Sequence, residues 1–416
     1  MTTIVQPVPV VQAAPSAPGH CPYAQAALLE QALAPDKMRV AFLLGAGCPV
    51  SIRVPRNGVN EALIPDIAGL TKIVRTELES DAEAMVAFAS VLQRLATSGN
   101  ATPNVEEILS QIRSLTEVAS GGPIDGLTHE TLLALDQRVC EITTGVVNER
   151  LPDNSTPYHR LASWIGVIPR KEPAEVFTSN YDLLMEEALE ERRVPYFDGF
   201  VGSYRTFFDI AAMEQDALPA RWARLWKVHG SINWWRTATS DVERRSMRES
   251  SGDRQLIYPS HLKYDQSRRQ PYLAMIDRLK AFLGRGQAVL VTCGYSFADQ
   301  HLNEVIVQGL EGNATAMCFG LLYGDRGSYP LATARARAQA NLTVLAADGA
   351  VLGTVEREWN VDPIDSHALH GIAVETAELG ARSGSALGRP KFLLGDFQSL
   401  GDFLARQLPI RSSAQA

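Results

Sequence analysis

Apolar residues along this 416-residue chain fall into two alternating patterns. Short, almost wholly apolar runs occur at residues 40–44, 174–179, 225–228, 288–292, 317–323 and 342–346, with a briefer one at 194–197. Runs of this kind are expected of strands buried on both faces. Between them the pattern changes to helical spacing. Met85, Phe88, Val91, Leu92 and Leu95 share one helical face, as do Val105, Ile108, Leu109, Ile112 and Leu115 behind a start at Pro103-Asn104. Leu132, Leu135, Val139, Ile142 and Val146 make a third stripe. Further helices are expected over residues 183–191, through Leu302, Val305, Ile306 and Leu310, and over 332–340.

Strands alternating with helices predict an α/β fold, a Rossmann-like doubly wound parallel sheet. The three stripes lie together, so residues 61–165 are expected to form a helical subdomain inserted into a core made of 36–60 and 166–350. Residues 1–35 read as an N-terminal arm, without period up to residue 22, and a short helix over 23–33 that packs on the first strand. Residues 351–416 read as an extension with a strand at 391–394 and a helix at 400–407, docked on the sheet edge or making contacts between subunits. The polar, aperiodic stretch 237–255 is expected to be a loop.

Composition is that of an ordinary globular protein, 45% hydrophobic and 21% charged. A formal net charge of -8 disfavours nucleic-acid binding through a whole-molecule basic field, and Arg244-Arg245 and Arg268-Arg269 read as solvated loop charge. Five cysteines, Cys21, Cys48, Cys140, Cys293 and Cys318, without C-x-x-C spacing, argue against a disulfide framework and a structural zinc site. No secretory signal and no apolar run of about 18 residues is present, so a soluble, cytoplasmic chain without membrane contact is expected.

In an open parallel sheet, ligands sit beyond the C-terminal ends of the strands. Four segments follow directly on predicted strands: Gly45-Ala46-Gly47, Thr178-Ser179-Asn180-Tyr181-Asp182, His229-Gly230-Ser231 and Gly294-Tyr295-Ser296. In the predicted fold all four face one cleft, a stronger signal than any one of them. The glycine turn lets the backbone approach a ligand, yet a buried strand with a tight turn has the same composition. Neither the six-residue glycine fingerprint of dinucleotide-binding folds nor the Lys-Ser/Thr pair of an ATPase loop is present. Asn180 is either a ligand-binding amide or the cap of a following helix, with Asp182 as its first-turn carboxylate. His229 is either a base or a packed structural histidine. Cys48 and Cys293 read as small buried residues, Asp299 as a helix N-cap and His301 as a surface or packing residue. Trp222, Trp226, Trp234 and Trp235 are expected to cluster in the core or at an interface.

The order and spacing of GAG-x-x-x-S at 45–51, TSNYD at 178–182, HGS at 229–231 and GYSFAD at 294–299 resemble sirtuin-like NAD-consuming domains. They look most like the bacterial branch that serves in antiphage defence, where a helical insertion is typical and a segment similar to PNVEEIL at 103–109 recurs. The chain departs from protein-deacylating sirtuins in two ways. It lacks the two C-x-x-C pairs of their zinc module, so no metal is expected. Their glycine loop continues into a Pro-x-Phe-Arg segment, whereas here it runs Arg53-Val54-Pro55-Arg56-Asn57-Gly58.

The resemblance therefore implies an NAD+ hydrolase that releases nicotinamide and ADP-ribose or a cyclic form, with a NAD-dependent protein deacylase or a non-catalytic NAD- or ADP-ribose-binding subunit as alternatives. Cleaving the nicotinamide–ribose bond develops oxocarbenium character on the sugar. The amide of Asn180, donor and acceptor at once, suits holding the ribose and a water. His229, with an unperturbed pKa of about 6.5, suits the base. Asp182 would orient the nicotinamide end or support Asn180. Gly45, Ala46, Gly47, Ser51, Gly294 and Ser296 would meet the diphosphate and adenosine side, with Thr178, Gly230 and Ser231 completing the nucleotide contacts. The resemblance further implies a homo-oligomer and a HerA-type ring ATPase as partner.

Overall fold

Strands without a polar face are stable only when helices cover both sides of their sheet. The computed structural model, which describes residues 19–35, 38–56, 58–239, 241–246, 253–257, 271–361, 368–376 and 389–408, meets that condition with a nine-stranded sheet. The expected arm up to residue 18 lies outside the described residues. In chain order the strands are β1 Arg39–Leu44, β2 Glu175–Thr178, β3 Tyr196–Phe197, β4 Ala223–Lys227, β5 Ala288–Cys293, β6 Ala316–Leu321, β7 Leu342–Ala346, β8 Gly349–Leu352 and β9 Val355–Glu358. Their spatial order is β9-β8-β7-β6-β5-β1-β2-β4-β3. Neighbours from β3 to β7 are parallel, and β8 and β9 are antiparallel additions at one edge. The fold is the predicted α/β class. Strand β1 is central: the chain leaves it for β2 on one side and returns as β5 on the other, which makes a topological switch point at its C-terminal end.

The connection from β1 to β2 carries helices Ile67–Glu79, Ala82–Thr97, Val105–Ala119, His129–Val147 and Pro157–Val167. Each starts at a side chain that accepts a backbone N–H: Asp66, Asp81, Asn104, Thr128 and Thr156. The stripes read from the sequence turn inward, with Phe88, Val91, Ile108, Ile112, Leu132, Leu135 and Val139 all buried. Helix Pro22–Ala32 packs into the same core as Phe42 of β1.

One expectation needs correction, and another holds in part. Residues 237–255 are not simply a loop: Val242–Arg244 and Arg254–Ile257 flank Gly230–Arg236 in a second, five-stranded antiparallel sheet that also takes Thr206–Phe208 and Phe200–Val201. Strands this short pair through the backbone and leave no readable period in the sequence; residues 240 and 247–252 lie outside the described residues. The extension from residue 351 docks on the sheet edge at its start, through β8 and β9, as expected, whereas its helix, Phe397–Arg406, packs on helix Pro157–Val167. Tyr158 meets Phe397 edge-to-face at 5.0 Å, Arg160 pairs with Asp402 at 2.9 Å, and Trp164 Nε1 donates to Gln407 at 2.9 Å. Three of the four tryptophans cluster in the core, with Trp226 and Trp234 buried and Trp222 packed against the same group, whereas Trp235 lies outside it and donates Nε1–H to the Arg245 carbonyl at 3.1 Å. Among the described residues no helix is long and apolar enough to cross a membrane.

Candidate active site

Four strand ends meet at the switch point, and two glycine turns interlock there. Gly45 N–H donates to the Cys293 carbonyl and Gly47 N–H to the Gly294 carbonyl, both at 2.9 Å. A Cβ on Gly45 would stand 2.3 Å from Gly294 O, and one on Gly47 would stand 2.7 Å from Gly294 Cα. Gly294 itself has φ +65°, the left-handed region that glycine occupies without strain. The glycines are therefore dictated by close packing of the β1 and β5 turns against each other.

Above these turns opens a cleft of about 440 Å³. Its floor is the strand ends, at Ala46, Asn180, Asp182, His229, Gly294 and Ser296. Its roof is the helical insertion, at Ile67, Leu70, Asn104, Glu106, Glu107 and Val147. An apolar wall facing a concentration of polar groups is the usual composition of a small-molecule site.

Asn180 does not cap a helix, since the next one starts only at Leu184. Its Nδ2 donates to the Gly45 carbonyl at 3.1 Å, and its backbone N–H donates to Thr178 Oγ1 at 3.0 Å. Beneath it, buried Lys227 donates to the carbonyls of Tyr181 and Asp182 and pairs with Glu186 at 3.0 Å, which fixes the Asn-Tyr-Asp turn from below. Asp182 accepts from Leu184 N–H at 3.1 Å. Burial pushes its carboxyl up to about 6, against the pull of the Lys227 charge.

His229, which follows β4, has Nε2 2.8 Å from an Asp299 carboxylate oxygen. Burial draws the imidazole pKa down, but the Asp299 hydrogen bond and the negative charge of Glu106 outweigh it and leave it above the ordinary value. Asp299 also caps helix Gln300–Glu311 by accepting from Leu302 N–H at 2.9 Å. The loop that delivers it holds buried Phe297 at φ +58°, a costly conformation for a side chain of that bulk, pinned where Asn303 Nδ2 donates to the Phe297 carbonyl at 2.8 Å. Glu106 comes from the roof and accepts a hydrogen bond from the Tyr181 hydroxyl. Burial raises its carboxyl pKa, while the His229 charge and the Tyr181 hydroxyl act to lower it.

The predicted residues thus divide. Ala46, Asn180, Asp182, His229, Gly294 and Ser296 line the cleft. Gly45 and Gly47 shape the turn below it. Ser51, Thr178 and Ser231, expected against a nucleotide, are instead satisfied by backbone away from the cleft wall. Ser51 Oγ donates to Cys48 O at 2.7 Å, Thr178 Oγ1 to Leu44 O at 3.0 Å, and wholly buried Ser231 to Tyr181 O at 3.4 Å. Gly230, at φ +92°, turns the chain from His229 into its strand. Glu106 and the Asp299–His229 pair were not expected from the sequence, although PNVEEIL at 103–109 and GYSFAD at 294–299 contain them. Cys48 and Cys293 are buried, as their size and setting imply. Among the described residues no group of three or more His, Cys, Asp or Glu side chains is arranged to hold a metal ion.

The chain is similar at low identity to several solved structures. One is a Sir2 homologue in complex with NAD, at 14% identity over 73% of this chain and 85% of that one, with a TM-score of 0.31. A mutant Sir2 homologue in complex with ADP-ribose gives 11%, 72% and 84%, with a TM-score of 0.31. A structure described under the mechanism and regulation of Sir2 enzymes gives 11%, 72% and 85%, with a TM-score of 0.33. No curated protein sequence matches the chain. Residues 174–345, from the start of β2 into β7, match the family model of the SIR2-like domain.

Proposed function

We propose that the chain is an NAD+ hydrolase that cleaves the nicotinamide–ribose bond and acts as a NAD-depleting effector of antiviral defence. One observation carries the activity: Asn180 and the His229–Asp299 pair converge on a single cleft at the switch point of a parallel sheet. NAD+ itself supplies a good leaving group, because the nicotinamide ring is already positively charged. What the chain must supply is position and a base.

Asn180, anchored through Nδ2 to the Gly45 carbonyl, offers its amide oxygen to a ribose hydroxyl or to water. His229 donates Nε2–H to Asp299, which puts the ring's lone pair on Nδ1, where it takes the proton of the attacking water. Asp299 then holds the imidazolium that forms. Ile67, Leu70 and Val147 give the same space an apolar roof. In this reading the protein works as a homo-oligomer gated by a HerA-type ring ATPase, and the product is ADP-ribose or its cyclic form.

The test is to incubate the purified protein with NAD+, alone and with such an ATPase, and to follow nicotinamide release by chromatography. Asn180→Ala and His229→Ala should each lower turnover by about 100-fold or more. Absence of NAD+ loss in every condition, or loss indifferent to both substitutions, overturns the reading. Binding without turnover would instead favour a nucleotide-binding subunit.

A further inference from the structure

Glu106 is the second residue of helix Val105–Ala119, and it does not do what a first-turn carboxylate ordinarily does. That task, returning to the helix N-terminus, is already performed by Glu107, whose carboxylate accepts from Asn104 N–H at 2.8 Å while Asn104 accepts from the N–H groups of Glu106 and Glu107. The capping box locks the helix start and leaves the Glu106 side chain to the cleft wall. There it meets the hydroxyl of Tyr181, the residue next to Asn180, and shares the space with His229. Burial leaves its carboxyl pKa raised, with the Tyr181 hydroxyl and a protonated His229 acting against that rise. Glu106 also lies outside the matched residues 174–345 and reaches the site from a helix of the β1–β2 connection.

Resting on NAD+ as the substrate, we propose that Glu106 is a catalytic carboxylate whose negative charge stands against the cation developing at the ribose C1′. The C1′–N bond breaks with both electrons passing to nicotinamide, whose ring thereby loses its charge. A water oxygen forms the new bond to C1′, and its proton passes to His229. Glu106 forms no covalent bond and ends ionised, as it began. A charge already held in place by the Tyr181 hydroxyl needs little reorganisation as the cation appears, which is the condition for electrostatic catalysis. The roof is then part of the chemistry as well as a cover.

The experiment compares full-length wild type with Glu106→Gln, Glu106→Asp and Tyr181→Phe, reading NAD+ turnover, NAD+ affinity by titration, and melting temperature. Glu106→Gln keeps the shape and removes the charge. It should lower turnover about 100-fold while changing NAD+ affinity less than about threefold. Glu106→Asp, which restores charge one methylene short, should recover part of that loss. Tyr181→Phe should cost about tenfold, because the carboxylate loses its orienting donor. A Glu106→Gln loss below about tenfold, or one matched by an equal loss of NAD+ affinity, overturns this inference and leaves the hydrolase reading standing. Failure of wild type to cleave NAD+ in any condition overturns both, and is told apart by wild type alone.

Discussion

The two ends of the parallel strands both bury charge, and they do it differently. At the N-terminal ends, Glu175 of β2 and Arg224 of β4 sit side by side in register. Arg224 donates to Asp216 at 2.7 Å and to the Trp222 carbonyl at 2.6 Å, while Glu175 accepts from Trp226 Nε1 at 2.6 Å. Arg278 reaches Asp216 at 2.9 Å and lies over the Trp226 ring at 5.2 Å. Charge there is closed on itself. At the C-terminal ends, Asp182, His229, Asp299 and Glu106 border an open space. Burial of charge alone therefore does not mark a site; burial beside a cavity does.

The comparison can be broken at several points. The largest effect is expected where the two turns touch. Gly45→Val would drive a side chain into the Gly294 carbonyl, so the sheet centre should fail to form, and circular dichroism and soluble yield should both collapse. Arg224→Met, at the closed end, should lower stability in urea by about 3 kcal/mol while the folded fraction keeps its NAD+ turnover. Equal loss of turnover per folded molecule would mean that the closed end is not purely structural.

The smallest and sharpest effect concerns pH. With neutral His229 as the base, turnover should fall as pH drops through its raised pKa. Asp299→Asn keeps a good N-cap for helix Gln300–Glu311 but removes the charge that raises the imidazole pKa, so the acid limb of the pH–rate profile should move to lower pH. A limb that stays in place would assign it to another group. The same raised pKa stabilises the fold below the unfolded histidine's pKa, and that contribution is lost as pH rises through the folded value, so Asp299→Asn should also flatten the melting temperature against pH.

What the sequence revealed follows from the range of the interactions. Core strands and insertion helices were legible because their signals are local: apolar runs such as residues 288–292, and helical stripes such as Val105–Leu115 behind Pro103-Asn104. The small sheet was not, because Val242–Arg244 is recognisable only from its partners at Trp234–Arg236 and Thr206–Phe207. In the site, Asn180 and His229 stood out because each ends a strand. Asp299 was read as a cap, which it is, and its second bond to His229 has no local trace. Glu106 meets Tyr181 across 75 residues of chain, and nothing in either segment announces the other. The bonds of Ser51, Thr178 and Ser231 to backbone carbonyls left no trace either, since a hydroxyl near a strand end has the same sequence whether it faces a ligand or a carbonyl.

The position of β1 has a consequence for how the protein comes into being. Its partners in the sheet are β2, closed across 134 residues between Leu44 and Thr178, and β5, which ends only at Cys293. Contacts so distant along the chain form slowly and late. During synthesis Gly45 and Gly47 therefore wait, exposed, until most of the polypeptide has left the ribosome. No fragment that stops short of β5 can assemble the cleft. Under the proposed function, the hydrolase would thus be born inactive, with its own topology serving as the first safeguard.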